Sequence, residues 1–574
     1  MMKKTIWILL LAGLALVACG NGERQVTEPD AAPMPWEQFV TAVIDAYYAR
    51  NPETAVNAGL HDFDGQMSDY SLAGLNEYAA WVDAVVTEAM GYEDLEGIEA
   101  FERDYLLNAM NGQLFWLRES NFPTTNPLFY SADVSVYVDR EYAPLEERLV
   151  AYTNYIRQVP SLIATMQDNL EPPLPAPYLQ MGQAVYAGFA DYLETTVPDL
   201  FAGVADEQLQ RQFAAANGDA VAAVRQAAAW LEGLKATGTG DYALGKERFM
   251  KMLSAGQGVN VSLADLKAAG ERDLQRNLDV LHEACAEFAP GEDTRDCVLR
   301  AQNRKPPEGA VAGATRQLPV LRKFLADNAI VSIPSDEEAL VDAAPPHRRF
   351  NSAYISIPGP FEKGLPAVYY IAPPDPAWSP EDQLAYIPGE TDLLSTSIHE
   401  VWPGHFLQFL HSNRVENRVG RHFSTYTFTE GWAHYAEQMM IDAGLGDGDV
   451  EVRIGQLLDA LLRNVRYLSA IGLHTEGMTV EESQAMFQEK AFKDVGNAAQ
   501  QAYRGTYDPG YLNYTLGKLM INKLREDWTA GRGGREAWGR FHDQFLSYGS
   551  PPIPLLRKQM LGPDYDGDAA LLPY

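Results

Sequence analysis

The sequence predicts a mainly α protein with one small β element. Three observations carry this reading. Apolar residues recur at i, i+3, i+4 and i+7 through much of the chain. Residues 211–236, RQFAAANGDAVAAVRQAAAWLEGLKA, are dominated by alanine, the strongest helix former. One stretch alone, FNSAYISIPGPFEKGLPAVYYIAPPDP at 350–376, changes the texture to Pro, Gly, Tyr and Ile and alternates as strands do.

The chain of 574 residues begins with Met1-Met2-Lys3-Lys4 and the apolar run TIWILLLAGLALVA. That run has signal-peptide length and is short for a membrane span. Leu16-Val17-Ala18-Cys19 reads as a lipobox. Residues 1–19 are therefore expected to be a lipoprotein signal, with Cys19 the lipid-bearing mature N-terminus. Gly20 in place of Asp points to the outer membrane of a Gram-negative host, so the expected address is the cell envelope, on the periplasmic face. The polar residues 20–33 read as a flexible tether.

A helical lobe is expected over 34–345. WEQFVTAVIDAYYAR sets Phe39, Val43, Ile44 and Tyr47 on one stripe, and 76–90 and 100–117 repeat the period. Residues 145–170 continue it with an interruption at Pro160. A short helix over 245–253 follows a Gly-Thr-Gly linker, and Ser262 caps a long helix over 262–288. LHDFDG, with His61, Asp62 and Asp64, reads as a turn. His282-Glu283 has no partner His nearby and reads as structural. No motif recurs at a fixed period, which excludes a solenoid.

The composition narrows the function classes. The 46% hydrophobic content with 29 Tyr and 22 Phe indicates a well-filled globular protein. The net charge of −33 opposes nucleic acid and anionic membrane surfaces as partners. It reads as a solvated acidic surface. Cys285 and Cys297 are the only cysteines after Cys19; in an exported chain, with Pro-Gly between them, they are expected to form a disulfide.

The remaining lobe, 346–574, carries the chemistry. AYISI and AVYYI are expected to form two short strands about PGPFEKGLP. Ala367–Ile371 or Ala353–Ile357 would then hold an extended substrate by strand addition. HEVWPGH at 399–405 and TEGWAHYAE at 429–437 follow. A catalytic zinc takes three His or carboxylate ligands and leaves one position for water. The usual helical solution puts two His four apart with a Glu between them as general base. His399 and His405 are six apart, a rotation of about 240° on a regular helix, so an unbroken helix cannot make the site. Pro403 and Gly404 supply the remedy. The proline clashes with the carbonyl four residues back, and glycine tolerates angles that other residues avoid. The helix is expected to open at Trp402–Gly404 and resume at His405. Glu430, in the first turn of the next helix, is the expected third ligand. Glu437, seven residues on and on the same face, is expected to orient a ligating His or to touch substrate.

HEVWPGHFLQ resembles the HExxPGHxxQ signature of the bacterial proteins grouped as domain of unknown function 885, and EGWAHYAE resembles their second signature. That family is similar to thermolysin-like zinc peptidases with a Glu ligand. The resemblance implies a large two-lobed helical peptidase-like fold with a deep cleft. It implies zinc held by His399, His405 and Glu430, with Glu400 as base. LLRNVRYLSAIGLH resembles a further stretch through Arg463, Arg466 and His474, with Ala470 where an Asp is common. AYRGTYDPGYLNYTLG resembles another through Arg504, Pro509, Gly510, Tyr514 and Gly517, with Tyr511-Leu512 in place of Gln-Ala. Tyr514 is the candidate oxyanion donor. Arg466, Arg504, His474 and Glu437 are candidate substrate contacts. The expected activity is hydrolysis of short peptides. The alternatives are hydrolysis of a non-peptide amide or cell-wall fragment, and an inactive surface-binding lipoprotein.

Overall fold

The computed structural model describes residues 34–345, 348–349, 352–562 and 571–573. The signal, the lipobox with Cys19 and the tether over 20–33 lie outside these residues. The described chain is mainly α, with one three-stranded mixed sheet.

The periodic segments fold as their patterns require. Trp36–Arg50 is one helix that buries Phe39, Val43, Ile44 and Tyr47. Leu72–Met90, Gly97–Arg118 and the Ala-rich Glu207–Leu234 follow suit. Leu145–Ile156 and Val159–Asn169 are separated just before Pro160, which sits in the first turn of the second helix, where its missing N–H costs nothing. The Ser262 side chain accepts from the backbone N–H of Asp265 and starts Leu263–Phe288. His282 and Glu283 stand exposed on that helix. Cys285 and Cys297 are bonded, with Cα atoms 5.7 Å apart.

Strands β1 (Leu340–Ala343), β2 (Ala353–Ser356) and β3 (Val368–Ile371) lie in the order β1-β3-β2. The expected hairpin is present: β2 runs antiparallel to β3, pairing Ala353 with Ile371. β1 was not expected; it pairs parallel to β3, Leu340 beside Val368. This makes β3 the central strand. Ala367–Ile371 therefore has no free edge and cannot add a substrate strand; β2 retains one.

Three apolar cores hold the molecule. The largest runs from Phe115 to Leu572 and includes residues on both sides of position 345. A second is built between Val56 and Leu231, and a third joins Trp36 and its neighbours to Val419 and Phe423. Trp402 and Trp432 are buried in the largest core. At about 25 cal/mol per Å², each contributes roughly 4–6 kcal/mol as an upper bound. Their burial anchors the two segments that carry the site.

Candidate metal centre

The helix Glu390–Glu400 ends one residue after His399, and a new helix, His405–Ser412, begins at the second histidine. The break falls where Pro403 and Gly404 require it. The Gly404 N–H donates to the carbonyl of Ile398 at 2.9 Å, six residues back, so the chain folds onto itself. A Cβ on Gly404 would lie 1.7 Å from the His399 carbonyl oxygen, so only glycine fits. Trp432 Nε1 donates to the Pro403 carbonyl at 2.8 Å, tying the turn to the next helix. The detour sets the rings of His399 and His405 4.8 Å apart, close to perpendicular.

Glu430 arrives from the helix Tyr426–Asp442. It lies in the second turn, not the first, because the helix starts four residues before it. Its position depends on a close helix crossing. A Cβ on Gly431 would meet Gly517 Cα at 2.5 Å, and one on Gly517 would meet the Thr427 carbonyl oxygen at 2.0 Å. The two glycines let Tyr426–Asp442 and Asn513–Ala530 touch backbone to backbone. The same contact delivers Tyr514 to the site.

Glu430 Oε2 is 3.4 Å from His399 Nε2 and 3.4 Å from His405 Nε2. It makes no hydrogen bond of acceptable geometry, and His405 Nδ1 also has no partner. One ligand atom from each of the three residues lies within 4.8 Å of the others. Two atoms bonded to one tetrahedral ion at about 2.1 Å stand about 3.4 Å apart. The nitrogen, nitrogen, carboxylate set thus fits a divalent ion of the zinc type in distance and in donor chemistry.

Glu437 sits behind His399. Its Oε1 accepts from His399 Nδ1 at 2.7 Å, and its two oxygens take Arg463 at 2.9 and 3.1 Å and His434 Nδ1 at 3.2 Å. The carboxylate fixes the proton on Nδ1 and leaves the Nε2 lone pair facing Glu430. Glu430 and Glu437, two turns apart on one face, stand at opposite ends of one imidazole, and Glu437 alone of the two is hydrogen-bonded to it. Glu437 is fully buried and serves the histidine; it is not a substrate contact. Burial alone would lower the His399 pKa; Glu430 and Glu437 overcome this and set it at about 9. Burial would raise the Glu430 carboxyl, but His405 and His399 hold it well below the usual range. A metal ion would take the place of these protons.

Glu400, the last residue of its helix, is buried, yet its carboxylate has no hydrogen bond or ion pair among the described residues. Tyr514 is buried with its ring stacked 6.3 Å from that of His399, and burial raises its phenol. Three guanidinium groups surround this ring, with Arg466 Cζ at 5.1 Å, Arg463 at 5.7 Å and Arg504 at 6.0 Å.

The remaining expected contacts separate. Arg504 is paired with Asp508 at 2.9 Å and donates to the Tyr426 hydroxyl at 3.1 Å, so it is a structural ion pair. His474 Nδ1 accepts from the Leu244 N–H at 3.3 Å and Nε2 donates to the Gly505 carbonyl at 2.7 Å. Both nitrogens are used, and burial lowers the pKa to about 4. His474 is a core histidine, not a substrate contact. Of the three arginines, Arg466 has no carboxylate partner among the described residues. Tyr426 was not anticipated; it packs on Tyr514 with ring centres 5.7 Å apart. Its place four residues before Glu430, on the same helical face, was the available signal.

A family model described as a bacterial protein of unknown function, DUF885, matches residues 52–560. No curated protein matches. Solved structures that share the fold include two candidate lipoproteins. One is a candidate lipoprotein of unknown function from Shewanella oneidensis, with TM-score 0.77 and 22% identity, covering 92% of this chain and 100% of that one. The other is a candidate lipoprotein from Colwellia psychrerythraea, with TM-score 0.76 and 17% identity, covering 92% and 98%.

Proposed function

The chain belongs to this family of bacterial proteins of unknown function, and from that premise we propose that it is a zinc-dependent hydrolase of peptide bonds in short peptides. The observation that carries the reading is the convergence of His399, His405 and Glu430 on one point, next to an unpartnered Glu400. The proposed kinship to thermolysin-like peptidases, with two lobes about a deep cleft, rests on the two motifs alone.

Zinc held by His399, His405 and Glu430 would supply a Lewis acid and a water with pKa near 7. Glu400 takes a proton from the attacking water and passes it to the leaving amine. The water oxygen bonds to the carbonyl carbon, the C–N bond breaks, and the amine departs with that proton. Tyr514, kept protonated by burial, donates to the carbonyl oxygen as it gains charge. Glu437 and Arg463 hold the His399 ring in place. The free edge of β2, packed against the Glu390–Glu400 helix, takes the peptide backbone.

In this reading the protein is lipid-anchored through Cys19 at the periplasmic face of the outer membrane. Its support is the 1–20 sequence and the description of the two similar structures as candidate lipoproteins. No described helix is long and apolar enough to cross a membrane.

The test is digestion of a peptide library by the zinc-loaded chain, with and without chelator, beside Glu400→Gln. Cleavage lost on chelation and in the variant is expected. Zinc uptake with no cleavage would instead favour a non-peptide amide substrate or an inactive binder.

A further inference from the structure

We propose that Arg466 anchors the C-terminal carboxylate of the substrate, so that the protein removes a short fragment from the free C-terminus of a peptide; this rests on the peptidase reading above. The chain carries 78 acidic and 45 basic residues, so carboxylates are abundant. The two other arginines around Tyr514 have theirs: Arg463 has Glu437, and Arg504 has Asp508. Arg466 does not. Its Nε donates to Gln501 Oε1 at 2.8 Å, and among the described residues its two Nη groups have no hydrogen bond or ion pair. Yet the residue is only 8% exposed.

A buried guanidinium without a counter-ion is costly in general, because it gives up its hydration with no partner charge in return. Burial, with Arg504 alongside, already lowers its pKa. An incoming anion would remove that cost. The planar pair of Nη groups matches a carboxylate bidentately.

Position selects the kind of carboxylate. The Tyr514 ring centre is 5.1 Å from Arg466 Cζ and 6.3 Å from the His399 ring centre, and the two distances together bound the span from Arg466 to His399. About three residues of extended chain, at about 3.5 Å each, cover a span of that size. A guanidinium so enclosed leaves little room for a backbone to continue past it. A chain that ends there needs none. An acidic side chain would require the peptide to run on.

The experiment uses the zinc-loaded Glu400→Gln chain, which binds without turnover, titrated calorimetrically with tetra-alanine as free acid and as C-terminal amide. A third probe is an amidated tetrapeptide with Asp at its last position. The free acid is expected to bind about 10- to 100-fold more tightly than either amide. Adding Arg466→Met should abolish that preference, and adding Arg466→Lys should restore part of it. The melting temperature of Arg466→Met should equal or exceed that of the parent, because no protein ion pair is lost. Acid and amide binding alike, including no binding of either, overturns the proposal. Equal binding of the amidated Asp peptide overturns the terminal assignment. Failure of the peptidase reading shows separately, as wild-type protein that binds the free acid and cleaves nothing.

Discussion

At the scale of single residues, the site is a chain of dependencies running backward from His399. Its Nε2 is aimed by the bond from Nδ1 to Glu437, and Glu437 is held by Arg463 and His434. Glu437→Gln keeps the size but weakens the acceptor. It should reduce zinc affinity about 10- to 100-fold with little change in melting temperature, measured by competition with a chromophoric chelator. Unchanged affinity would remove Glu437 from the account. His474 makes the opposite case, a neutral imidazole locked between two backbone groups. Its folded pKa, about 4, is below the unfolded value of 6.5. Its stabilisation is therefore complete above pH 6.5 and lost as pH falls toward 4, at most about 3 kcal/mol. Thermal unfolding across that range should show a flatter pH dependence in His474→Gln than in the parent. Equal slopes would contradict the assignment. Sequence spacing marked His399, His405, Glu430 and Glu437: the histidines stand six apart across a Pro-Gly break, and the glutamates seven apart on one helix, which gives them one face. It could not mark the Arg463–Glu437 pair or the isolation of Arg466. Those depend on how separate helices pack.

At the scale of elements, two close approaches make the geometry: Gly404 against the His399 carbonyl, and Gly431 against Gly517. Gly404→Ala should cost at least about 3 kcal/mol or open the turn. Either way zinc affinity should fall together with stability, read by titration and by thermal melts. A variant with parental affinity and melting temperature would refute the close approach. The Pro-Gly break was readable because its two residues act locally. The periodic helices were readable for the same reason. Ala176–Thr195 and Ala310–Asn328 were not, since the first opens on Pro177 and the second carries Pro319 inside it. β1 was missed because its four residues, mostly exposed, show no alternation, and because its parallel partner is distant in sequence. That one omission turned β3 from an edge into the centre of the sheet.

At the scale of the whole molecule, the largest core joins helices before position 345 to the segments that bear the candidate metal residues. The bond from Cys285 to Cys297 lies in that core, between Leu263–Phe288 and Thr294–Gln302. For so short a loop, its removal by Cys285→Ser with Cys297→Ser should cost about 3 kcal/mol. A melting temperature unchanged by the double substitution would show that the bond contributes nothing. The acidic balance and the buried cations belong to this scale as well: the chain carries 78 acidic and 45 basic residues, yet the buried Arg466 has no carboxylate partner among the described residues. The central claim is that His399, His405 and Glu430 share one ion, and elemental analysis of the purified chain tests it most directly. One zinc per chain in the wild type, and none in Glu430→Ala or His405→Ala that still fold, is the predicted result. A folded wild type that takes up no zinc when dialysed against it, or variants that keep it, would contradict the account.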